Sequence, residues 1–183
     1  MKNYFFLFLI FTYSLNAQQS DFKNINFKKA DSIANLHSNK SLRSLPKLAH
    51  QLTSKLETDV EKFRAIFVWV SKNIKGDYNA FSKNYRKRKR FKNDSIKLYL
   101  WNKSFNKKAF KKLLKNKKTV CTGYAYLIQE LSNLANIKCE IVNGYGRNSS
   151  ANIGELSIPN HSWNAVKLNN KWYLADATWA SGY

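Results

Sequence analysis

Cys121, His161 and Asp176 are residue types that together perform acyl transfer, and each stands at the edge of a recognisable element. Thr119-Val120-Cys121-Thr122-Gly123 leads into Tyr124, Leu127, Ile128, Leu131, Leu134 and Ala135, an amphipathic pattern of helical period. With Thr119 as the expected N-cap, Cys121 falls in the first turn of this helix. Unpaired amides and the positive end of the helix dipole favour a thiolate there, and the same amides can donate to an oxyanion. We assign that second role to the Cys121 backbone amide, and we expect Gly123 to keep bulk away so that a substrate backbone can approach. Asn136 closes the pattern as a residue that tolerates a left-handed C-terminal position.

The histidine and the aspartate can be related by counting. Asn160 to Leu168 reads as a strand, Asn169-Asn170 as a two-residue turn that accepts positive φ, and Lys171 to Trp179 as the return strand. If Leu168 faces Lys171, then Asp176 faces Trp163 and His161 faces Thr178. His161 and Asp176 then share one face of the hairpin as diagonal neighbours, about 7–8 Å apart at Cα, within reach of an imidazole–carboxylate hydrogen bond. A slip of one residue would send them to opposite faces. An imidazole held by a carboxylate on one nitrogen presents the other to a thiol, which is the logic of a Cys-His-Asp triad. The bland alternatives are a small buried cysteine near a helix start and an edge histidine paired with an unrelated aspartate.

The other cysteine, Cys139, alternates with polar neighbours in Ile137-Lys138-Cys139-Glu140-Ile141 and reads as an inward strand residue. A Cys121–Cys139 bridge is chemically permitted in an oxidising compartment and would abolish the nucleophile. The three histidines at 37, 50 and 161 and the absence of a Cys-x-x-Cys pair argue against a zinc site, and no acidic cluster resembles a calcium loop. No cofactor and no metal are expected.

Upstream, three helices are expected to support the site. Phe27 to Ser38 carries one apolar side, and Leu45-Pro46 opens a second helix with Leu48, Leu52 and Leu56 at spacing four. Thr58-Asp59-Val60-Glu61 matches a capping box, followed by the stripe Phe63, Ile66, Phe67, Val70 and Ile74. From Asp77 to about Asn106 the pattern dissolves. Residues 83–118 hold 16 Lys/Arg against one acid, Asp94, and like charges so dense favour a solvated loop or arm. The interleaved aromatics fit a single-strand nucleic-acid groove or an insertion tucked onto the domain. A short helix is expected around Phe110, Leu113 and Leu114.

The 183 residues suit one domain plus a targeting segment, and 44% hydrophobic with 15% aromatic composition is enough for a core. Lys2, the apolar run Tyr4–Leu15 and Asn16-Ala17-Gln18 describe a secretory signal peptide over 1–17, too short for a membrane span of about 20 residues. An uncleaved anchor is the alternative. The expected location is secreted or periplasmic, with no stable membrane span after cleavage. For an exported chain of net charge +21, an anionic envelope polymer is a better partner than nucleic acid.

The motifs Val120-Cys121-x-Gly123-Tyr124-Ala125, Asn160-His161-x-Trp163-Asn164-x-Val166 and Trp172-Tyr173-Leu174-x-Asp176-x-Thr178-Trp179 together resemble the transglutaminase-like superfamily, and within it the bacterial members similar to kyphoscoliosis-peptidase-type domains. Arg64-Ala65-Ile66-Phe67-x-Trp69-Val70-x-x-Asn73-Ile74 resembles the helix that precedes the cysteine helix in that family. The resemblance implies an α+β, papain-like core, with N-terminal helices and the nucleophile helix packed on a small antiparallel sheet, and it implies catalytic roles for Cys121, His161 and Asp176. It divides the mature chain into an N-terminal helical segment, 18–57, and a transglutaminase-like domain, 58–183, carrying a basic insertion at about 79–118. Relatives usually continue with further strands or domains beyond the third motif, so the resemblance implies either a fragment, shortened at its C-terminus, or a domain with a small sheet.

The expected function is therefore an exported cysteine enzyme acting on amide bonds of a protein or peptide substrate through a thioester, with hydrolysis favoured over cross-linking. The rivals are a non-catalytic binding or scaffold module of the same fold, and a polyanion-binding envelope protein that uses the basic stretch.

Overall fold

The cysteine-bearing helix lies between the other core helices and a small sheet in the computed structural model, which describes residues 18–146 and 158–182. The segment 1–17, where a signal peptide is expected, lies outside the described residues. A 3-10 turn, Gln18–Phe22, precedes α1 (Lys28–Leu36), α2 (Leu45–Thr53) and α3 (Asp59–Asn73). Next come β1 (Lys75–Gly76), α4 (Tyr78–Arg90), α5 (Ser95–Asn116), β2 (Lys118–Thr119) and α6 (Cys121–Leu134). The chain ends with β3 (Cys139–Gly144), β4 (His161–Leu168), β5 (Lys171–Ala175) and α7 (Ala177–Ala180). Both helix and sheet contribute, so the fold class is α+β as expected.

Local signals explain the helix starts. Ser44 caps α2, with Pro46 in the first turn where its missing N–H is not needed. Thr58 and Glu61 form the full capping box of α3, Thr58 accepting from the Glu61 amide while the Glu61 carboxylate accepts from the Thr58 amide. The apolar stripe of α3 then buries Phe63, Ile66, Trp69 and Val70 against Leu127, Ile128 and Leu131 of α6 and Val166 of β4 in one core. Two buried polar bonds fix α6 within it. Tyr124 Oη donates to the Ile74 carbonyl at the end of α3 (2.8 Å), and Asn164 of β4 donates to the Ala125 carbonyl (3.0 Å). Such groups are buried only when satisfied, so both bonds set where α6 sits.

The sheet is antiparallel in the order β3-β4-β5, with β4 central. Asn169 and Asn170 both take positive φ (49° and 63°), and the β4–β5 ladder runs from Leu168↔Lys171 to Asn164↔Ala175, the register expected from the turn. One part of the expected hairpin is wrong. The return strand stops at Ala175, and Ala177–Ala180 turns into α7, so Asp176 sits at a strand-to-helix junction. Its carboxylate caps α7, and that local bond outcompetes continued pairing.

The basic stretch also departs from expectation: it is a helical hairpin, α4 and α5, and the short helix expected near Phe110 is the end of α5. Its two ends are tied by the parallel pair Lys75↔Lys118 and Gly76↔Thr119. Asp77, buried at the root, caps α4 and pairs with Lys112 of α5. Asp94 caps α5. Between the helices Phe91 packs on Trp101, Lys87 lies over both rings, and Trp101 donates to Asn84 (2.8 Å). Aromatic and cation–π contacts with charges pointing outward offset the repulsion that density of charge alone implies.

Candidate active site

Cys121 is the first residue of α6, and the N-cap is Val120 in extended geometry, not Thr119, which belongs to β2. The Gly123 and Tyr124 amides both donate to the Val120 carbonyl, which leaves the Cys121 and Thr122 amides as the first-turn donors the helix does not use. Gly123 has a different role from the one expected. A Cβ there would stand 2.0 Å from Thr119 Oγ1, so the glycine makes room for a buried protein side chain, not for a substrate.

His161 opens β4, and its Nε2 lies 2.6 Å from Asp176 Oδ2, a bond that needs the proton on Nε2. The other oxygen, Oδ1, accepts from the Thr178 and Trp179 amides (2.9 and 3.1 Å). One carboxylate thus caps a helix and holds an imidazole, and the cap fixes its orientation. Cys121 lines the same cleft as the imidazole, whose Nδ1 is left free by the Asp176 bond. His161 is sandwiched between the rings of Trp179 (centroids 5.0 Å apart, 15°) and Trp163 (5.8 Å, 29°). The structure therefore brings together all three residues singled out from the sequence.

The electrostatics follow from this enclosure. Burial alone would push the His161 imidazole down, but its bond to Asp176 and the influence of the neighbouring Cys121 outweigh burial and raise it to about 9. Burial would likewise raise the Asp176 carboxyl, yet the His161 bond and the Trp179 and Thr178 amides hold it below the ordinary carboxylate value. Cys121 and Cys139 are both free thiols. Cys139 is buried in the core, and burial pushes its thiol up to about 11.

Several contributors escaped the sequence reading. A Cβ at Gly146 would come within 2.9 Å of His161 Cβ, and one at Gly144 within 2.5 Å of Trp163 Cη2. These two glycines, spaced by two on and just after β3, clear space for the imidazole and its stacking partner. Gly146 is held in turn by Asn160, which accepts from its amide (2.7 Å) and donates to its carbonyl (3.2 Å). The Gly-x-Gly spacing was the available signal. Arg88, from the last turn of α4, reaches across and donates from a terminal guanidinium nitrogen to the Pro159 carbonyl (2.7 Å), so the basic hairpin walls a cleft of about 260 Å³ that contains Cys121 and His161. A larger apolar groove of about 870 Å³ lies among Phe22, Phe63, Phe67 and Tyr173 and reaches Asp176 from the far side. It is lined by neither Cys121 nor His161. Among the described residues, no group of three or more His, Cys, Asp or Glu side chains is placed to hold a metal ion.

The chain belongs to the transglutaminase-like superfamily, whose core-domain model matches residues 46–177. It is similar to the kyphoscoliosis peptidases of Homo sapiens (32% identical) and Mus musculus (31%), each over 85% of this chain and 21% of the relative. It is also similar to hillarin of Drosophila melanogaster (25% identical, over 86% of this chain and 17% of the relative). The chain thus spans about one fifth of the length of these curated relatives. Among solved structures, a crystal structure of a TGase aligns with a TM-score of 0.48 at 18% identity, over 87% of this chain and 35% of that one.

Proposed function

We propose that the protein is an exported thiol enzyme that cleaves amide bonds in proteins or peptides, with Cys121 as nucleophile, His161 as acid and base, and Asp176 as the residue that orients the imidazole. The observation that carries this reading is the 2.6 Å bond between His161 Nε2 and Asp176 Oδ2 beside a thiol at a helix start. With the imidazole raised to about 9, the imidazolium is the form present at neutral pH, and it holds a proton ready for the leaving amine.

In this mechanism the Cys121 sulfur attacks the substrate carbonyl carbon, and the carbonyl π electrons move to oxygen. The Cys121 and Thr122 amides donate to that oxyanion. Collapse expels the amine, which takes its proton from His161, and leaves a thioester. Neutral His161 then removes a proton from water, whose oxygen attacks the thioester; the thiol leaves and the acid product departs. An amine in place of water would cross-link two substrates. Hydrolysis is favoured because two of the relatives are named peptidases.

The exposed cations Lys83, Lys89 and Arg90 of α4 support a compatible second reading, attachment to an anionic envelope polymer. Retention on such a polymer should fall steeply with added salt; retention that ignores salt would refute it. For the enzymatic reading, a peptide library is incubated with wild type and with Cys121→Ala and read by mass spectrometry. Cleaved peptides present only with wild type support a hydrolase, and amine-linked pairs a transferase. Identical spectra would sink the enzyme.

A further inference from the structure

Arg88 is a half-buried cation with no carboxylate partner among the described residues. One guanidinium nitrogen is anchored on the Pro159 carbonyl, while Nε is fully buried and has no hydrogen-bond partner among the described residues. A guanidinium offers five N–H donors, and leaving a buried cation without a counter-charge is unfavourable. Burial correspondingly lowers the Arg88 guanidinium, with the nearby Cys121 acting in the opposite sense. The side chain lines the same cleft as Cys121 and His161, in a wall completed by the amide side chains Asn84, Asn102 and Asn106. All three are neutral, so none supplies the missing charge. At about 260 Å³ the cleft takes little more than one residue of a substrate.

We propose that Arg88 is a specificity-determining residue that binds a carboxylate of the substrate beside the amide under attack. The planar guanidinium fork matches a carboxylate, and enclosure by α4 strengthens the pairing. The carboxylate comes from an acidic side chain or from a free C-terminus. This inference rests on the assignment of Cys121 as the reactive thiol, and it gives the basic hairpin a role in substrate choice.

The test compares alkylation of Cys121 by iodoacetate, which carries a carboxylate, with alkylation by neutral iodoacetamide. In each case sulfur displaces iodide and forms a carbon–sulfur bond, so no turnover is needed. The iodoacetate-to-iodoacetamide rate ratio, divided by that of glutathione, is expected to exceed one by about tenfold in wild type. Arg88→Gln should lower it severalfold, to the residual preference that the His161 imidazolium supplies, Arg88→Lys should retain part of it, and Arg86→Gln, an equal charge loss at an exposed site on the same helix, should leave it unchanged. A wild-type ratio at or below one overturns the subsite even if Arg88→Gln fails to fold. An equal fall in Arg86→Gln also overturns it, because general attraction would then explain the preference. Absence of labelling by either reagent instead refutes the reactive-thiol assignment, and the subsite with it. In the peptide library, cleavage next to Asp or Glu identifies a side-chain source, cleavage lost on C-terminal amidation identifies a terminal one, and indifference to both refutes the proposal.

Discussion

Two cysteines lie 18 residues apart in the chain, both buried and both free, yet they meet opposite surroundings. Cys139 begins β3 and packs into the core, where burial pushes its thiol up to about 11 and keeps it neutral. Cys121 begins α6, lines a cleft, and faces an imidazole raised to about 9. Both side chains are nearly inaccessible, so exposure alone does not separate them. What differs is the neighbourhood: an imidazole and first-turn amides beside one thiol, the buried core around the other.

The strongest test of this contrast is to remove each thiol in turn. Cys121→Ala should lower turnover by at least about 10³-fold, measured on any peptide the wild type cleaves. Asp176→Asn should reduce the alkylation rate of Cys121 or turnover by about 10²–10⁴-fold, since the imidazole loses its carboxylate. Asn still caps helices well, so α7 should persist, and Asp176→Ala should lose about a further 1 kcal/mol in a denaturation midpoint.

The same pair sets a pH dependence of stability. His161 is raised from 6.5 to about 9, so its contribution is fully present below the ordinary histidine value and is lost as pH rises through about 9. Asp176 is lowered from 3.8, so its contribution is present above that value and is lost as pH falls through its depressed one. Urea midpoints should therefore decline between about pH 6.5 and 9 in wild type and much less in Asp176→Asn.

Smaller effects should come from the groups that only position the histidine. Gly146→Ala presses a methyl against His161, and we expect about 10–100-fold slower alkylation of Cys121 with the fold kept, as judged by circular dichroism. Cys139→Ala should leave alkylation of Cys121 unchanged and cost about 1 kcal/mol of stability by denaturation. Slower alkylation in Cys139→Ala than in Gly146→Ala would break the comparison.

Much of this was readable from residues close in sequence. The capping box of α3, Pro46 in the first turn of α2, Asn136 in a left-handed position after α6 and the positive φ of Asn169-Asn170 all depend on a few neighbouring residues. The β4–β5 register followed from the turn as far as Asn164↔Ala175, and His161 and Asp176 meet just beyond it. Where competing local bonds were close in energy, the reading failed by a residue or an element. Asp176 left the strand to cap α7, and Val120 replaced Thr119 at the start of α6.

The chain's own motifs, then, picked out the residues at the start of α6, at the start of β4 and at the α7 junction that the fold brings together, because helix starts and tight turns are short-range. What needed the folded molecule was the enclosure. Arg88 bonds Pro159 across 71 residues, Trp179 and Trp163 stack on His161, and Gly144 and Gly146 clear their space. Density of charge argued for a solvated arm in 83–118, and only aromatic packing between α4 and α5 turned that segment into a wall of the cleft. Such contacts join elements distant in sequence, so no local pattern of spacing records them.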